Sequence, residues 1–224
     1  MSQSQYALKR VCDIMLAGIG LVMLAPALLV IAVAVRVSSQ GPALYRGVRV
    51  GRFGKAFKIL KFRTMVVDAE KLGGPSTADG DQRITRVGRF LRAFKLDELP
   101  QLLNVLIGDM SIVGPRPEVQ KYVDLYTTEE TAILRLRPGI TDWASIWNSD
   151  EGAVLAGCSD PDRAYEELIR PTKLRLQLKY ASECSLFVDL RILVATAARL
   201  VVRDWMPAEL VRYGRLAPAS EQLE

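Results

Sequence analysis

At 224 residues, half of them apolar, the chain can bury a sizeable core and has room for one or two domains. Its 30 Lys and Arg against 25 Asp and Glu give a net charge of +5, a modest basic excess that suits phosphates, nucleotides or an anionic membrane face without choosing among them. Histidine is absent, which excludes His-based general base catalysis, Ser-His-Asp and Cys-His nucleophile systems and the usual zinc sites; Cys12, Cys158 and Cys184 make neither a C-x-x-C pair nor a disulfide framework.

Met1 to Ala7 reads as a disordered polar start, followed by Lys9 and Arg10. From Ile14 to Val35 there is no charge, and about 20 apolar residues span a bilayer as a helix. A signal peptide is the competing reading, but its apolar region runs only ~7–15 residues. Pro26 lies near the middle of the run, removes one backbone donor and predicts a kink. Positive charge flanks the run on both sides: Lys9 and Arg10 before it, Arg36, Arg46, Arg49 and Arg52 after it. A segment that enters and returns to one cytoplasmic face satisfies both flanks; a single-pass helix with a harmless proline is the alternative.

Leu44 to Val50 and Ala56 to Met65 read as two strands of a hairpin around Gly51 to Lys55. Lys61 and Arg63 share one strand face at i, i+2, either as a solvated surface or as a phosphate grip. Val66 to Leu72 reads as a short helix and Gly73 to Asp81 as a polar loop. In the helix predicted over Arg83 to Phe94, Val87, Phe90, Leu91 and Phe94 face a core, while Arg86, Arg89, Arg92 and Lys95 lie elsewhere. These cations are either surface or a diphosphate site.

Asp97 and Glu98 follow, between that basic segment and the short apolar helix Leu99 to Ile107. Neighbouring helical residues point about 100° apart, so the two carboxylates have different jobs. Helix capping, with Asp97 as N-cap, is one reading; a nucleophile beside a metal-holding carboxylate is the other. Gly114-Pro115-Arg116-Pro117 presents Arg116 on stiff backbone before a helix, a candidate anion site. Val119 to Tyr126 and Glu129 to Leu136 read as helices, Arg137 to Thr141 as a turn, and Trp143 to Gly157 as irregular. Lys173 to Ser182 and Leu186 to Arg203 are amphipathic. Leu186, Phe187, Leu190, Leu193, Val194 and Ala197 form one side of the second, for the core or for a membrane surface. There is no Walker A loop, no G-x-G-x-x-G after a strand and no nucleic-acid motif.

Six stretches in order carry a resemblance. They are Lys9-Arg10-x-x-Asp13 ahead of the proline-bearing apolar segment, Phe57 to Met65, Asp81-x-Arg83-Ile84-Thr85-x-x-Gly88-x-x-Leu91-Arg92, Leu96-Asp97-Glu98-Leu99-Pro100-Gln101, Gly108 to Pro117, and Arg137-Pro138-Gly139-Ile140-Thr141. Together the chain resembles the bacterial sugar transferase family, the small monotopic phosphoglycosyl transferases. The resemblance implies transfer of a sugar-1-phosphate from a nucleoside diphosphate sugar, usually a UDP-sugar, to a polyprenyl phosphate such as undecaprenyl phosphate. UMP is released, Mg²⁺ is required, and surface glycan assembly begins at the cytoplasmic face of the bacterial inner membrane. It implies Asp97 as nucleophile and Glu98 as Mg²⁺ ligand; the diphosphate charge that such an attack must overcome calls for cations, and Lys61, Arg63, Arg92 and Arg116 are the phosphate-binding candidates this sequence supplies. Pro26 becomes the break of a re-entrant membrane helix.

The expected fold is α+β and mainly helical. It comprises a re-entrant helix-break-helix anchor over residues 1–38, a cytoplasmic catalytic domain over 39–206 with a short β-hairpin and amphipathic interfacial helices, and a C-terminal tail over 207–224. Expected partners are the sugar nucleotide, the polyprenyl phosphate and membrane lipid, with no nucleic acid and with a homodimer left open. A non-catalytic membrane adaptor is the competing class; it has no need of both Asp97 and Glu98. Two departures stand out. The helix break carries Ala25-Pro26 where Ser-Pro is common, and Asp142-Trp143-Ala144-Ser145-Ile146-Trp147-Asn148-Ser149 replaces a Gly-Trp-Ala-Gln-Val-Asn-Gly-Arg run. Residues 148–172 match the resemblance poorly.

Overall fold

The computed structural model describes residues 1–202, 205–214 and 216. One long helix, α1 (Gln3–Ser38), runs along a body of short helices and two small sheets. The helix starts earlier than the polar composition of Met1 to Ala7 suggests. Ser2 accepts from the Gln5 amide while the Gln5 side chain returns the bond, so two end donors are satisfied at once. It also continues through Pro26 without an interruption. A proline forfeits its own bond to the preceding turn, and here the turns on either side hold the helix together. The expected break is therefore no gap in helical structure.

Both ends of α1 are fastened to the same body. Near its start, Lys9 donates to Asp189 (2.6 Å) and to the Val113 carbonyl (3.0 Å). Arg10 donates to the carbonyls of Val105 and Leu106, and Asp13 accepts from Ser111 Oγ (2.8 Å) and the Ile112 amide (3.0 Å). Near its end, Val35 is buried with Phe62 and Leu91. Most of the helix between remains uncovered: Val22, Met23, Leu29, Val30 and Val33 are exposed. By length and composition α1 is apolar enough to cross a membrane.

Strands β1 (Leu44–Val50) and β2 (Ala56–Phe62) form the expected antiparallel hairpin, Leu44 opposite Phe62 and Val50 opposite Ala56. The predicted helix after it is instead a bridge from Met65 to Ile84 and a single 3₁₀ turn, Ala69–Lys71. Helix α2 (Arg86–Ala93), capped by Thr85, buries Leu91 but leaves Phe90 and Phe94 half exposed and stacked on each other, 4.8 Å between centroids. Helix α3 (Gln101–Ile107) ends at Gly108, whose φ of 98° suits a residue without Cβ. It packs between α1 and β2, where Ala17, Ile59, Val105 and Met110 form a small core.

Strand β3 (Ser111–Val113) pairs in parallel with β4 (Gly139–Thr141), so the expected turn at 137–141 is in part a strand. Only α4 (Gln120–Val123) and a 3₁₀ segment (Glu130–Arg135) remain of the two helices predicted between them. Helices α5 (Trp143–Trp147) and α6 (Glu151–Val154) replace an expected irregular stretch. Helix α7 (Pro161–Ala164) passes through a π-helical turn (Tyr165–Ile169) into α8 (Arg170–Glu183), and α9 (Leu186–Val201) follows. These helices enclose the main core around Trp143, Trp147, Leu155, Ile169, Tyr180 and Ile192. In α9 the buried face is Asp189, Ile192 and Ala195, while Phe187, Leu190 and Val194 face outward. The tail contributes α10 (Ala208–Val211), with Leu210 in the core and the Gly214 carbonyl accepting from Trp147 Nε1 (2.9 Å). The remainder of the expected tail, residues 215 and 217–224, lies outside the described residues.

Candidate active site

Asp97 and Glu98 sit in a 3₁₀ turn, Leu96–Glu98, between α2 and α3. Lys95 enters this turn with φ 56°, a left-handed conformation that costs a non-glycine residue free energy. The resulting bend aims two adjacent carboxylates inward. Neither one caps a helix: no side-chain cap bond is made at the start of the turn or of α3. The capping reading therefore falls away.

The two carboxylates occupy different environments. Glu98 accepts from Lys61 Nζ (2.9 Å) and Arg116 Nη1 (3.0 Å), and also from Arg116 Nη2. A carboxylate has roughly four lone-pair positions, so three are taken and one is free. Burial alone would raise Glu98, yet the charges and hydrogen bonds of Arg116 and Lys61 outweigh it and hold the group well below the usual carboxylate range. Glu98 in turn pushes the Arg116 guanidinium up, while burial pushes the Lys61 ammonium down.

Asp97 is only 7% exposed and makes no hydrogen bond or ion pair among the described residues. Burial pushes its carboxyl up, Lys61 pulls it down, the neighbouring Glu98 charge pushes it up again, and Arg92 and Arg116 pull it down. The Arg92 guanidinium makes no hydrogen bond or ion pair among the described residues either. Its charge acts on Asp97 and also on Asp81.

Of the six candidate side chains, five gather: Asp97, Glu98, Lys61, Arg92 and Arg116. Arg63 does not. Its guanidinium donates to the carbonyls of Pro42 (2.7 Å), Ser39 (2.9 Å) and Gly41 (3.3 Å) and to Ser39 Oγ, closing the C-terminal end of α1. Strand β2 ends at Phe62, so the alternation that put Lys61 and Arg63 on one face stops before Arg63 is reached.

Gln101 closes the Leu96 to Gln101 motif, which does not single it out as a site residue. It follows Asp97 by one helical turn, is 0% exposed, and neither Nε2 nor Oε1 has a partner. Orphaned buried amides cost about 1–3 kcal/mol, so such a group calls for an unseen partner. Among the described residues no three His, Cys, Asp or Glu side chains gather as a ready metal cage. Hard oxygens are nonetheless present in the free position on Glu98, the unpaired Asp97 carboxylate and Gln101 Oε1. That set suits Mg²⁺, which ordinarily takes one or two carboxylates and completes its shell with water and substrate phosphate.

A cavity of about 640 Å³ is lined by none of these five side chains. Gly73, Ser76, Asp81 and Arg83 line one side, and Ser159, Asp160 and Asp162 the other. Arg83 is bound bidentately by Asp81 and also holds the Ala69 and Gly74 carbonyls.

The profile of the bacterial sugar transferases matches residues 4–203, which takes in all of α1 but its first residue and every residue of the cluster. The chain belongs to the bacterial sugar transferase family. A UDP-glucose:undecaprenyl-phosphate glucose-1-phosphate transferase of Caulobacter vibrioides is 41% identical over 202 residues, 88% of this chain and 70% of that protein. A protein of the same description from Escherichia coli is 40% identical over 195 residues, 84% of this chain and 39% of that protein. A UDP-N-acetylgalactosamine-undecaprenyl-phosphate N-acetylgalactosaminephosphotransferase of Aeromonas hydrophila is 42% identical over 142 residues, 62% of this chain and 34% of that protein. The chain thus spans little more than a third of the length of the last two relatives. These sugar transferases differ in donor sugar, so family membership does not fix that choice.

Proposed function

We propose that the protein transfers a sugar-1-phosphate from a UDP-sugar to a polyprenyl phosphate, releasing UMP, as its relatives' names describe for undecaprenyl phosphate. The observation that carries this is the pairing of a buried, unbonded Asp97 with a Glu98 held by two cations. Asp97 Oδ attacks the phosphorus bonded to the sugar. The bridging P–O bond of the diphosphate breaks and UMP leaves with the bridging oxygen. An oxygen of the polyprenyl phosphate then attacks the same phosphorus, the P–O bond to Asp97 breaks, and the carboxylate is restored. Splitting one displacement into two predicts ping-pong kinetics.

The chain's own residues prepare these steps. Arg92, whose guanidinium has no hydrogen-bond or ion-pair partner among the described residues, lies within electrostatic reach of Asp97 and can take a phosphate oxygen. Lys61 and Arg116 are held by Glu98 at fixed positions, so the charge facing the diphosphate needs no reorganisation. Glu98 and Gln101 would hold Mg²⁺, which when bound neutralises diphosphate charge and improves the leaving group. Incubating the purified protein with Mg²⁺, undecaprenyl phosphate and a UDP-sugar panel tests the reading. UMP release with at least one donor is expected; none with any donor would overturn it.

We further propose that α1 enters the membrane and returns to one face, bending at Pro26 without losing helical structure. Fixing both Lys9 to Asp13 and Val35 to Ser39 on one body supports this, because a spanning helix separates its ends by about 30 Å of hydrocarbon. Apolar residues are also exposed on and next to the elements that pack on α1, namely Phe90, Phe94, Leu103 and Ile107, and on α9 at Phe187 and Leu190. On this reading the protein sits at the cytoplasmic face of the inner membrane. Single cysteines at Ser4 and Gln40, in a background with the native cysteines replaced, are expected to resist an impermeant thiol reagent from outside. Labelling of either one would establish a spanning helix.

A further inference from the structure

Arg116 lies between Pro115 and Pro117, neither of which has a backbone N–H. Its own amide is therefore the one donor that can anchor this turn, and the parallel pairing of β3 and β4 has just ended. The last ladder bonds run from the Gly114 amide to the Thr141 carbonyl (3.0 Å) and from the Gly139 amide to the Pro115 carbonyl (3.0 Å). Beyond them two buried side chains take over. Asp142 Oδ2 accepts from the Arg116 amide (3.2 Å), and Gln177 Nε2 donates to the Arg116 carbonyl (3.3 Å). Gln177 Nε2 also donates to Asp142 Oδ2 (3.2 Å), closing the ring. Asp142 Oδ1 meanwhile accepts from the Ser145 amide and hydroxyl, both at 2.6 Å, which ties the clamp to the start of α5. Both Asp142 and Gln177 are 0% exposed.

We propose that Asp142 and Gln177 are positioning residues of the active site: they clamp both backbone polar groups of Arg116 and so fix the direction in which its guanidinium meets Glu98. The inference rests on the transfer reading for its kinetic part only. A glycine at 142, the residue the family resemblance leads one to expect, would offer Arg116 no side-chain acceptor. This chain has built the support from a side chain instead. Its reach extends to the charge as well, since the Asp142 carboxylate adds to the field that raises Arg116.

Two variants separate clamping from simple packing. Asp142→Asn keeps an N-cap of about equal quality for α5, but it turns an amide donor toward both the Arg116 amide and Gln177 Nε2. Gln177→Met keeps the volume, removes the donor and also removes a buried Oε1 that has no partner. The direct readout is hydrogen exchange in the peptide containing Pro115-Arg116-Pro117, where Arg116 has the lone exchangeable amide.

Exchange there should be at least about tenfold faster in both variants while α5 stays protected. In the transfer assay kcat should fall roughly 10–100-fold at a melting temperature near wild type, and the double variant should be no worse than the poorer single one. Unchanged exchange in both variants would overturn the clamp. Faster exchange with kcat and donor KM intact would overturn its role in positioning. A wild-type protein inactive with every donor would count against the transfer reading, and the exchange result would still decide the clamp. Should Asp142→Asn fail to fold, Gln177→Met decides by the same readouts.

Discussion

Asp97→Asn is expected to abolish transfer, by at least about a thousandfold, while raising the melting temperature at neutral pH. The loss follows because an amide oxygen cannot form the covalent bond to phosphorus on which both half-reactions depend. The gain follows from the environment of the group. Burial raises the Asp97 carboxyl, the adjacent Glu98 charge adds to it, and the cations reverse only part of the effect. A carboxyl whose folded value lies above its unfolded value contributes stability at acid pH and loses it as pH rises through the folded value. At neutral pH the ionised, unbonded Asp97 is therefore a cost to the fold, and a permanently neutral asparagine removes it. The difference in melting temperature between variant and wild type should grow as pH rises from below about 4, the unfolded value, towards 7. The same shift places the acid limb of kcat/KM above the ordinary aspartate range. Thermal unfolding across pH, together with trapping of labelled sugar phosphate on the protein, tests both halves. Label retained on the asparagine variant would remove Asp97 as nucleophile, and a variant that melts below wild type at neutral pH would contradict the assigned cost.

The elements that local pattern could reveal are those whose partners lie close in sequence. The β1–β2 hairpin rests on alternation around a glycine-bearing turn, and it formed as expected. The apolar run of α1 is legible because nothing else in the chain has its length without charge. Lys61 and Arg116 were legible as candidates, but their destination was not. Only the fold reveals that both terminate on Glu98, across 37 and 18 residues. Arg63 shows the converse failure: extending a strand pattern one residue too far turned a structural tie for α1 into a phosphate ligand. The Lys9, Arg10 and Asp13 motif read as a flank of an anchor. Its work is to fasten α1 to β3, α3 and α9, whose partner residues lie as far as 180 positions away. Helical spacing alone puts Phe90 and Phe94 on a core face with Val87 and Leu91. Periodicity identifies an apolar face but not what covers it: Val87 and Leu91 pack with Val35 and Phe62, while Phe90 and Phe94 are left open. Asp142 was visible as a departure from a familiar run, yet no local rule could connect it to Arg116 or to Gln177, 35 residues on.

Glu98→Gln should lose activity about a hundredfold or more and, unlike Asp97→Asn, should also lose stability at neutral pH. Glutamine offers one acceptor oxygen and turns an NH₂ group toward Lys61 and Arg116, leaving two cations short of a counter-charge. Removing one partner of a fully buried ion pair costs about 3–5 kcal/mol. The side chains here are 15%, 21% and 31% exposed for Glu98, Lys61 and Arg116, so solvent screening reduces the expected loss to about 1–3 kcal/mol. The pH dependence has the opposite sign to that of Asp97. Burial opposes ionisation of Glu98, but Arg116 and Lys61 prevail and its folded value is lowered. Its stabilisation is present above the unfolded value, about 4.3, and is lost as pH falls through the folded value. Urea unfolding should therefore separate wild type from Glu98→Gln at pH 7 and bring the two together in strong acid. Equal midpoints at pH 7 would mean that the ion link contributes nothing. One further consequence ties the two carboxylates together. Removing the Glu98 charge takes away a like-charge neighbour and frees Lys61 and Arg116 to act on Asp97, and both changes lower the Asp97 carboxyl. The residual activity of Glu98→Gln should accordingly have its acid limb displaced to lower pH. An unmoved limb would show that the two groups titrate independently and that the dyad is not electrostatically coupled.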